Sequence, residues 1–184
     1  MKKKIEISLF LMLLMLAHVY GQSSFFTICR EGSPAQVLAA LKAGAKVSER
    51  DNEGATPLMF AAVKNPNPEM ISVLLKAGAT VSERTDMGWT PLICAAVGNP
   101  NPEVISVLLK AGASVSERDD KGRTPLIYAA IYYNPNPEVI SMLLKAGADG
   151  KVKDRAGYTA FDYAKENPKL KGTPAYWALN EARY

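Results

Sequence analysis

The sequence predicts an all-α solenoid of about five stacked helix-turn-helix units with β-turn or hairpin tips, the two end units degenerate. Three observations carry this. Thr-Pro-Leu recurs as Thr56-Pro57-Leu58, Thr90-Pro91-Leu92 and Thr124-Pro125-Leu126, at spacings of 34 and 34 residues. Each triplet is followed two residues later by an alanine pair: Ala61-Ala62, Ala95-Ala96 and Ala129-Ala130. Each copy then runs through Asn-Pro-Asn-Pro-Glu into an apolar stretch that ends Leu-Leu-Lys-Ala-Gly-Ala. Self-similarity at a fixed period of this length means that each unit covers the apolar face of its neighbour, so the repeat itself is the fold.

Taken in order, the units span about residues 22–50, 51–84, 85–118, 119–153 and 154–184. In the first, Ser23-Ser24 caps a short helix to about Arg30, and Ala35 to Ala43 forms a second with Val37, Ala40 and Leu41 at helical spacing. The three full copies open on a tight turn at Asp51, Thr85 or Asp119, closed by Gly54, Gly88 or Gly122. Thr56, Thr90 and Thr124 are N-caps, and the prolines after them occupy the first helical position, where a missing N–H costs nothing. Asn67, Asn101 and Asn136 cap the second helices. Glu69, Glu103 and Glu138 follow in the first turn, and Lys76, Lys110 and Lys145 sit in the last, each favourable to the helix dipole. The prolines of the joint forbid helix across it. In the last unit, Gly157-Tyr158-Thr159-Ala160-Phe161 replaces the Gly-x-Thr-Pro-Leu pattern. Thr173-Pro174 caps a final helix whose Tyr176 and Trp177 are expected to pack on the fourth unit or to cover the end of the stack.

Residues 1–21 read differently. Lys2-Lys3-Lys4 precedes the apolar run Ile7 to Ala17, and Gly21 offers a small residue at a cleavage edge. This is the pattern of a secretory signal peptide, and the run is shorter than the roughly 18 apolar residues a membrane span needs. Export is therefore expected, to the periplasm or beyond, bacterial origin being suspected; no membrane attachment is expected once the signal is cleaved. Without Lys2, Lys3, Lys4 and Glu6 the chain keeps 19 basic and 17 acidic side chains, a net +2, too near neutral to point to nucleic acid. Cys29 and Cys94 lie two units apart, so stacking at about 8–10 Å per helix separates them by nearly 20 Å, beyond the ~7 Å limit of a disulfide. Two buried free thiols are expected.

The turn glycine, Thr-Pro-Leu, the alanine pair, Glu-Val-Ile or Glu-Met-Ile, Leu-Leu-x-x-Gly-Ala and the following Val-Ser together resemble the ankyrin-repeat family over about residues 23–184. Two departures stand out. The family's histidine after Thr-Pro-Leu is replaced by Met59, Ile93, Ile127 and, in the last unit, Asp162. A local hydrogen bond is lost, and apolar packing is expected in its place. The joint is also longer, by one residue in the second and third units and by two in the fourth, at Tyr132-Tyr133.

The catalytic inventory is short. His18, the one histidine of the sequence, falls inside the expected signal, which removes histidine-dependent nucleophilic and metal chemistry from the mature chain. No cofactor or metal is expected, and no enzyme activity, although a two-carboxylate enzyme is not excluded by composition. The resemblance implies instead a binding face made of turn tips and the exposed side of the first helices. Carried onto this sequence, that face holds Arg50, Asn52, Glu53, Ala55 and Lys64, then Arg84, Asp86, Met87 and Trp89. It continues with Arg118, Asp120, Lys121, Arg123, Tyr132 and Tyr133, and ends with Lys153, Arg155 and Tyr158. Arg50, Arg84, Arg118 and Lys153 recur one residue before each tip as a basic ladder with rungs about 10 Å apart, beside Glu49, Glu83 and Glu117. Trp89 is the aromatic expected to contribute most to an interface. The leading expectation is a monomeric, exported, non-catalytic module that binds a protein partner. The alternatives are a structural spacer of the cell envelope and, behind it, a carboxylate-dependent enzyme.

Overall fold

The computed structural model describes residues 24–131 and 136–184. Residues 1–23, with the expected signal, and Tyr132 and Tyr133 of the fourth joint lie outside the described residues. The described chain forms ten helices and no strand. They are α1 (Phe25–Glu31), α2 (Pro34–Lys42), α3 (Pro57–Lys64), α4 (Pro68–Lys76), α5 (Pro91–Gly98), α6 (Glu103–Lys110), α7 (Pro125–Ala130), α8 (Pro137–Lys145), α9 (Ala160–Glu166) and α10 (Pro174–Glu181). Odd-numbered helices stack on one another in one layer and even-numbered helices in a second, each pair packing internally as well.

The two layers differ because their sequences do. In α5 and α7 every residue from Pro91 to Ala96 and from Pro125 to Ala130 is buried, so these helices are apolar all round. The alanine pairs are fully buried and let neighbouring units approach closely. The second helices bury one stripe: Met70, Ile71 and Leu74 in α4, Val104, Ile105 and Leu108 in α6, Val139, Ile140 and Leu143 in α8. Each leucine or isoleucine so buried contributes about 1.5–3 kcal/mol. Only Val37 is buried in α2, as suits a terminal unit whose outer side has no neighbour among the described residues.

The caps hold with two exceptions. Thr90, Thr124 and Thr159 accept from the N–H three residues on, at 3.3, 3.3 and 3.2 Å. Thr56 does not: its hydroxyl is buried without a hydrogen-bond partner, and its N–H meets Met59 Sδ at 3.5 Å. Helix α6 starts at Glu103, one residue later than its counterparts start, yet Asn101 Oδ1 still accepts from Glu103 N at 2.9 Å. Met59, Ile93 and Ile127 are buried, so apolar packing does stand in for the missing histidine. In the last unit Asp162 closes a full capping box instead, accepting from Thr159 N at 2.9 Å and Thr159 Oγ1 at 2.7 Å.

At the C-terminal end, Tyr176 packs on Phe161 with ring centroids 5.0 Å apart, whereas Trp177 stays 55% exposed. The final helix approaches so closely that a Cβ on Gly150 would lie 2.6 Å from Ala182 Cβ, a clash no side chain could relieve. Cys29 and Cys94 are free and buried, as expected, and burial pushes both thiols up to about 12.

Candidate interaction surface

Each turn tip is a small, self-closed unit. Asp51 Oδ1 accepts from the N–H of Glu53 (2.9 Å) and of Ala55 (2.8 Å), and Asp119 and Asp154 repeat the pattern at Lys121 and Arg123, and at Ala156 and Tyr158. In the second tip the Thr85 hydroxyl accepts from Trp89 N at 3.1 Å. The tips are then tied to one another through the backbone. Asp86 N donates to Glu53 O at 2.9 Å, Asp120 N to Met87 O at 3.1 Å and Arg155 N to Lys121 O at 2.9 Å. Gly54 holds φ at +75°, and a Cβ there would stand 2.8 Å from Asp86 Oδ1, so both the turn and the contact between tips require glycine.

The basic ladder turns out to be part of this frame. Arg50 Nη1 donates to Gly54 O (2.8 Å) in its own tip and to Arg84 O (2.9 Å) in the next. Arg84 Nη1 does the same with Gly88 O (3.0 Å) and Arg118 O (2.8 Å), and Arg118 Nη2 reaches Lys153 O at 3.1 Å. Arg50 also pairs with Glu83, whereas Glu117 Oε2 is buried without a hydrogen-bond partner. The guanidinium groups are thus turned to carbonyls of the neighbouring unit, a role that the spacing alone did not reveal.

A second column was not singled out from the sequence. Phe26, Phe60, Cys94 and Tyr128 recur at intervals of 34, and Tyr163 follows after 35. That periodicity was the available signal. The two tyrosine hydroxyls show which side those residues face: Tyr128 donates to Asp119 Oδ2 and Tyr163 to Asp154 Oδ2, each at 2.6 Å, so both lie under the tips. Phe26 packs on Phe60 (centroids 5.0 Å apart) and Trp89 stands edge-on to Tyr128 (5.2 Å). Arg123 lies over both tyrosines, 5.9 Å from Tyr128 and 5.5 Å from Tyr163. Its Nε bonds Asp154 Oδ2 at 3.3 Å and its Nη2 bonds Tyr163 Oη at 3.1 Å. Burial acts against the Asp154 charge, but hydrogen bonds from Tyr163, the Tyr158 N–H, Arg123 and the Ala156 N–H outweigh it and hold the carboxyl below its ordinary range. Burial first, then the bond to Asp119, raises the Tyr128 hydroxyl.

The sequence-derived residues therefore separate into groups. Trp89 and Arg123 are half-buried and engaged in packing between units. Arg50, Arg84 and Arg118 are exposed but bonded along the frame. Asn52, Glu53, Asp86, Lys121, Lys153 and Arg155 are exposed, and none has an ion-pair partner among the described residues. Met87 is 49% exposed and Tyr158 53%. Tyr158 still touches Tyr163, with centroids 5.7 Å apart.

Nothing in the described residues gathers three or more metal-ligating side chains. A cavity of about 200 Å³ beside the turn between α1 and α2 is lined by Thr27, Ile28, Glu31, Gly32 and Gln36, with Glu31 as its one ionisable group. Among the described residues no helix is long and apolar enough to cross a membrane.

Family models for ankyrin repeats match residues 25–119 (three copies) and residues 108–164 (many copies). The chain belongs to the ankyrin-repeat family. No curated protein matches it closely enough to count as a relative. As an ankyrin-repeat protein it carries a protein–protein interaction module, of a family whose members are generally non-catalytic scaffolds.

Proposed function

We propose that this ankyrin-repeat protein is exported, and that it works by binding a protein partner through its turn tips and the groove side of its first helices, without catalysis. The observation that supports this most is the division of labour in the tips. Hydrogen bonds between units fix the tip backbones, while the side chains left exposed differ from tip to tip: Asn52 and Glu53, Asp86 and Met87, Lys121, Arg155 and Tyr158. A fixed frame that displays varied side chains binds without first having to be ordered, which is the saving that pre-organisation brings to an interface. Met87 and Tyr158 supply the apolar anchors and the charges around them the selectivity.

The test is affinity capture from an extract of the native host at low protein concentration, comparing the wild type with Met87→Ala/Lys121→Ala/Tyr158→Ala. The triple variant is expected to fold normally and to lose the partner. Undiminished capture by the folded variant would remove the tips from the interface. Export is tested separately by mass spectrometry of the mature protein, which should lack residues 1–21; a chain that still begins at Met1 would overturn it.

A further inference from the structure

The free charges of the tip ridge are not mixed at random. The charges that the frame already uses are Arg50, Asp51, Arg84, Arg118, Asp119 and Asp154. Set these aside, and set aside Arg123, which is bonded to Asp154. What is left on the first tip is Glu53, on the second Asp86, on the third Asp120 and Lys121, and on the fourth Lys153 and Arg155. All are exposed, and none is in an ion pair among the described residues. The ridge is acidic toward its N-terminal end and basic toward its C-terminal end, with half-exposed Met87 near the middle.

We propose that this ridge pairs with the ridge of a second copy of the chain, about a two-fold axis passing between the second and third tips. The proposal rests on the reading of the tips as the interaction surface. In an isologous contact, residue i meets residue j and j meets i, so a surface must be complementary to its own reverse. Reversing this ridge sets Glu53 opposite Arg155 and Asp86 opposite Lys121, and the symmetry makes each pair twice. Register follows automatically, because both partners carry rungs of the same spacing, about 10 Å. An unrelated partner would have to match that spacing by design. Met87 of each copy approaches the axis and covers apolar surface there. Asp120 is the group that works against the pairing, since it brings an acid to the face opposite Asp86. Exposed ion pairs are individually weak and screened by salt, so the dimer is a low-affinity one that forms when the protein is concentrated and ionic strength is low.

Sedimentation velocity of the full mature chain, from about 10 µM to about 1 mM in about 0.05 M and about 0.5 M salt, reads this directly. The expected result is a monomer when dilute, a dimer that grows with concentration at low salt, and its loss at high salt. Glu53→Lys/Asp86→Lys leaves Asp120 as the one free acid of a basic ridge, and Lys121→Glu/Arg155→Glu leaves Lys153 as the one free base of an acidic ridge. Each alone should remain monomeric, an equimolar mixture should associate, and the variant with all four reversals should dimerise again. Asp120→Asn should strengthen the wild-type association about threefold. Circular dichroism confirms that each variant folds. A wild type that stays monomeric throughout, or a dimer that survives either single-sided reversal, overturns the proposal. Retained capture of a host partner by a strictly monomeric wild type would overturn the pairing while leaving the interaction reading intact.

Discussion

The stack is joined at two edges, and the two joints use the same device in opposite surroundings. At the tip edge, Arg50, Arg84 and Arg118 reach from one unit to a backbone carbonyl of the next, in the open. At the edge where the helices connect, Asn65, Asn99 and Asn167 reach back to carbonyls of the preceding unit, out of contact with water. Asn65 Nδ2 donates to Cys29 O and Gly32 O, both at 3.0 Å, Asn99 Nδ2 to Ala62 O at 2.7 Å and Asn65 O at 2.9 Å, and Asn167 Nδ2 to Ala130 O at 3.2 Å. Their Oδ1 atoms accept from the N–H two residues on, at Asn67, Asn101 and Lys169. An exposed donor can be replaced by water, whereas a buried one leaves its carbonyls unsatisfied. The buried edge therefore carries the cohesion of the stack and the exposed edge carries its display.

The sharpest way to break the comparison is Asn99→Ala. It strands two buried carbonyls and is expected to cost about 3 kcal/mol, read as a lower midpoint in urea with little change in slope. A cost equal to that of the arginine variant below would show that burial does not separate the edges. Next comes Asp154→Ala, which leaves the Tyr163 hydroxyl, the Arg123 guanidinium and two tip N–H groups without their acceptor. About 2 kcal/mol of destabilisation is expected, together with faster protease cleavage near the fourth tip. Arg84→Ala loses one exposed and one part-buried hydrogen bond and should cost only about 1 kcal/mol in the same urea titration.

The last unit offers a pH-dependent test. The hydrogen bond from Lys165 foremost, with those from the Thr159 N–H and hydroxyl, outweighs burial and holds the Asp162 carboxyl down at about 2, against an ordinary value of 3.8. A carboxyl depressed in the folded state contributes stability that is fully present above its unfolded value, and that stability is lost as pH falls through the folded one. Thermal melts should therefore show the wild type losing stability between about pH 4 and about pH 2, and Asp162→Asn should flatten that limb. An unchanged acid limb would show that the capping box does not set it. The smallest effect belongs to the display side chains: Met87→Ala should alter stability by no more than about 0.5 kcal/mol while weakening partner capture.

Much of this protein could be read along the chain. The 34-residue period, the caps at Thr90 and Thr124, the proline stops and the apolar stripes are local patterns, and the helices fall where they place them. The tip positions were equally legible, because a turn aspartate or threonine and a glycine three positions on announce themselves. Other features were not. Asn65 and Asn67 look alike in Asn-Pro-Asn-Pro, yet one is a buried clamp and the other a surface cap. The arginines looked like a basic stripe until the carbonyls of the adjoining tip came into reach. Trp89 looked like a free contact residue, and its ring rests on Tyr128.

The sequence by itself determined the repeat, its helices and the exposure of its tips, because these depend on interactions within a few residues. Tertiary structure decided which polar side chains are committed and which are free. Their partners lie 33 to 37 residues away in the chain for the asparagines and 34 or 35 for the arginines, and only the stacking of one unit on the next brings those atoms within 3 Å or so.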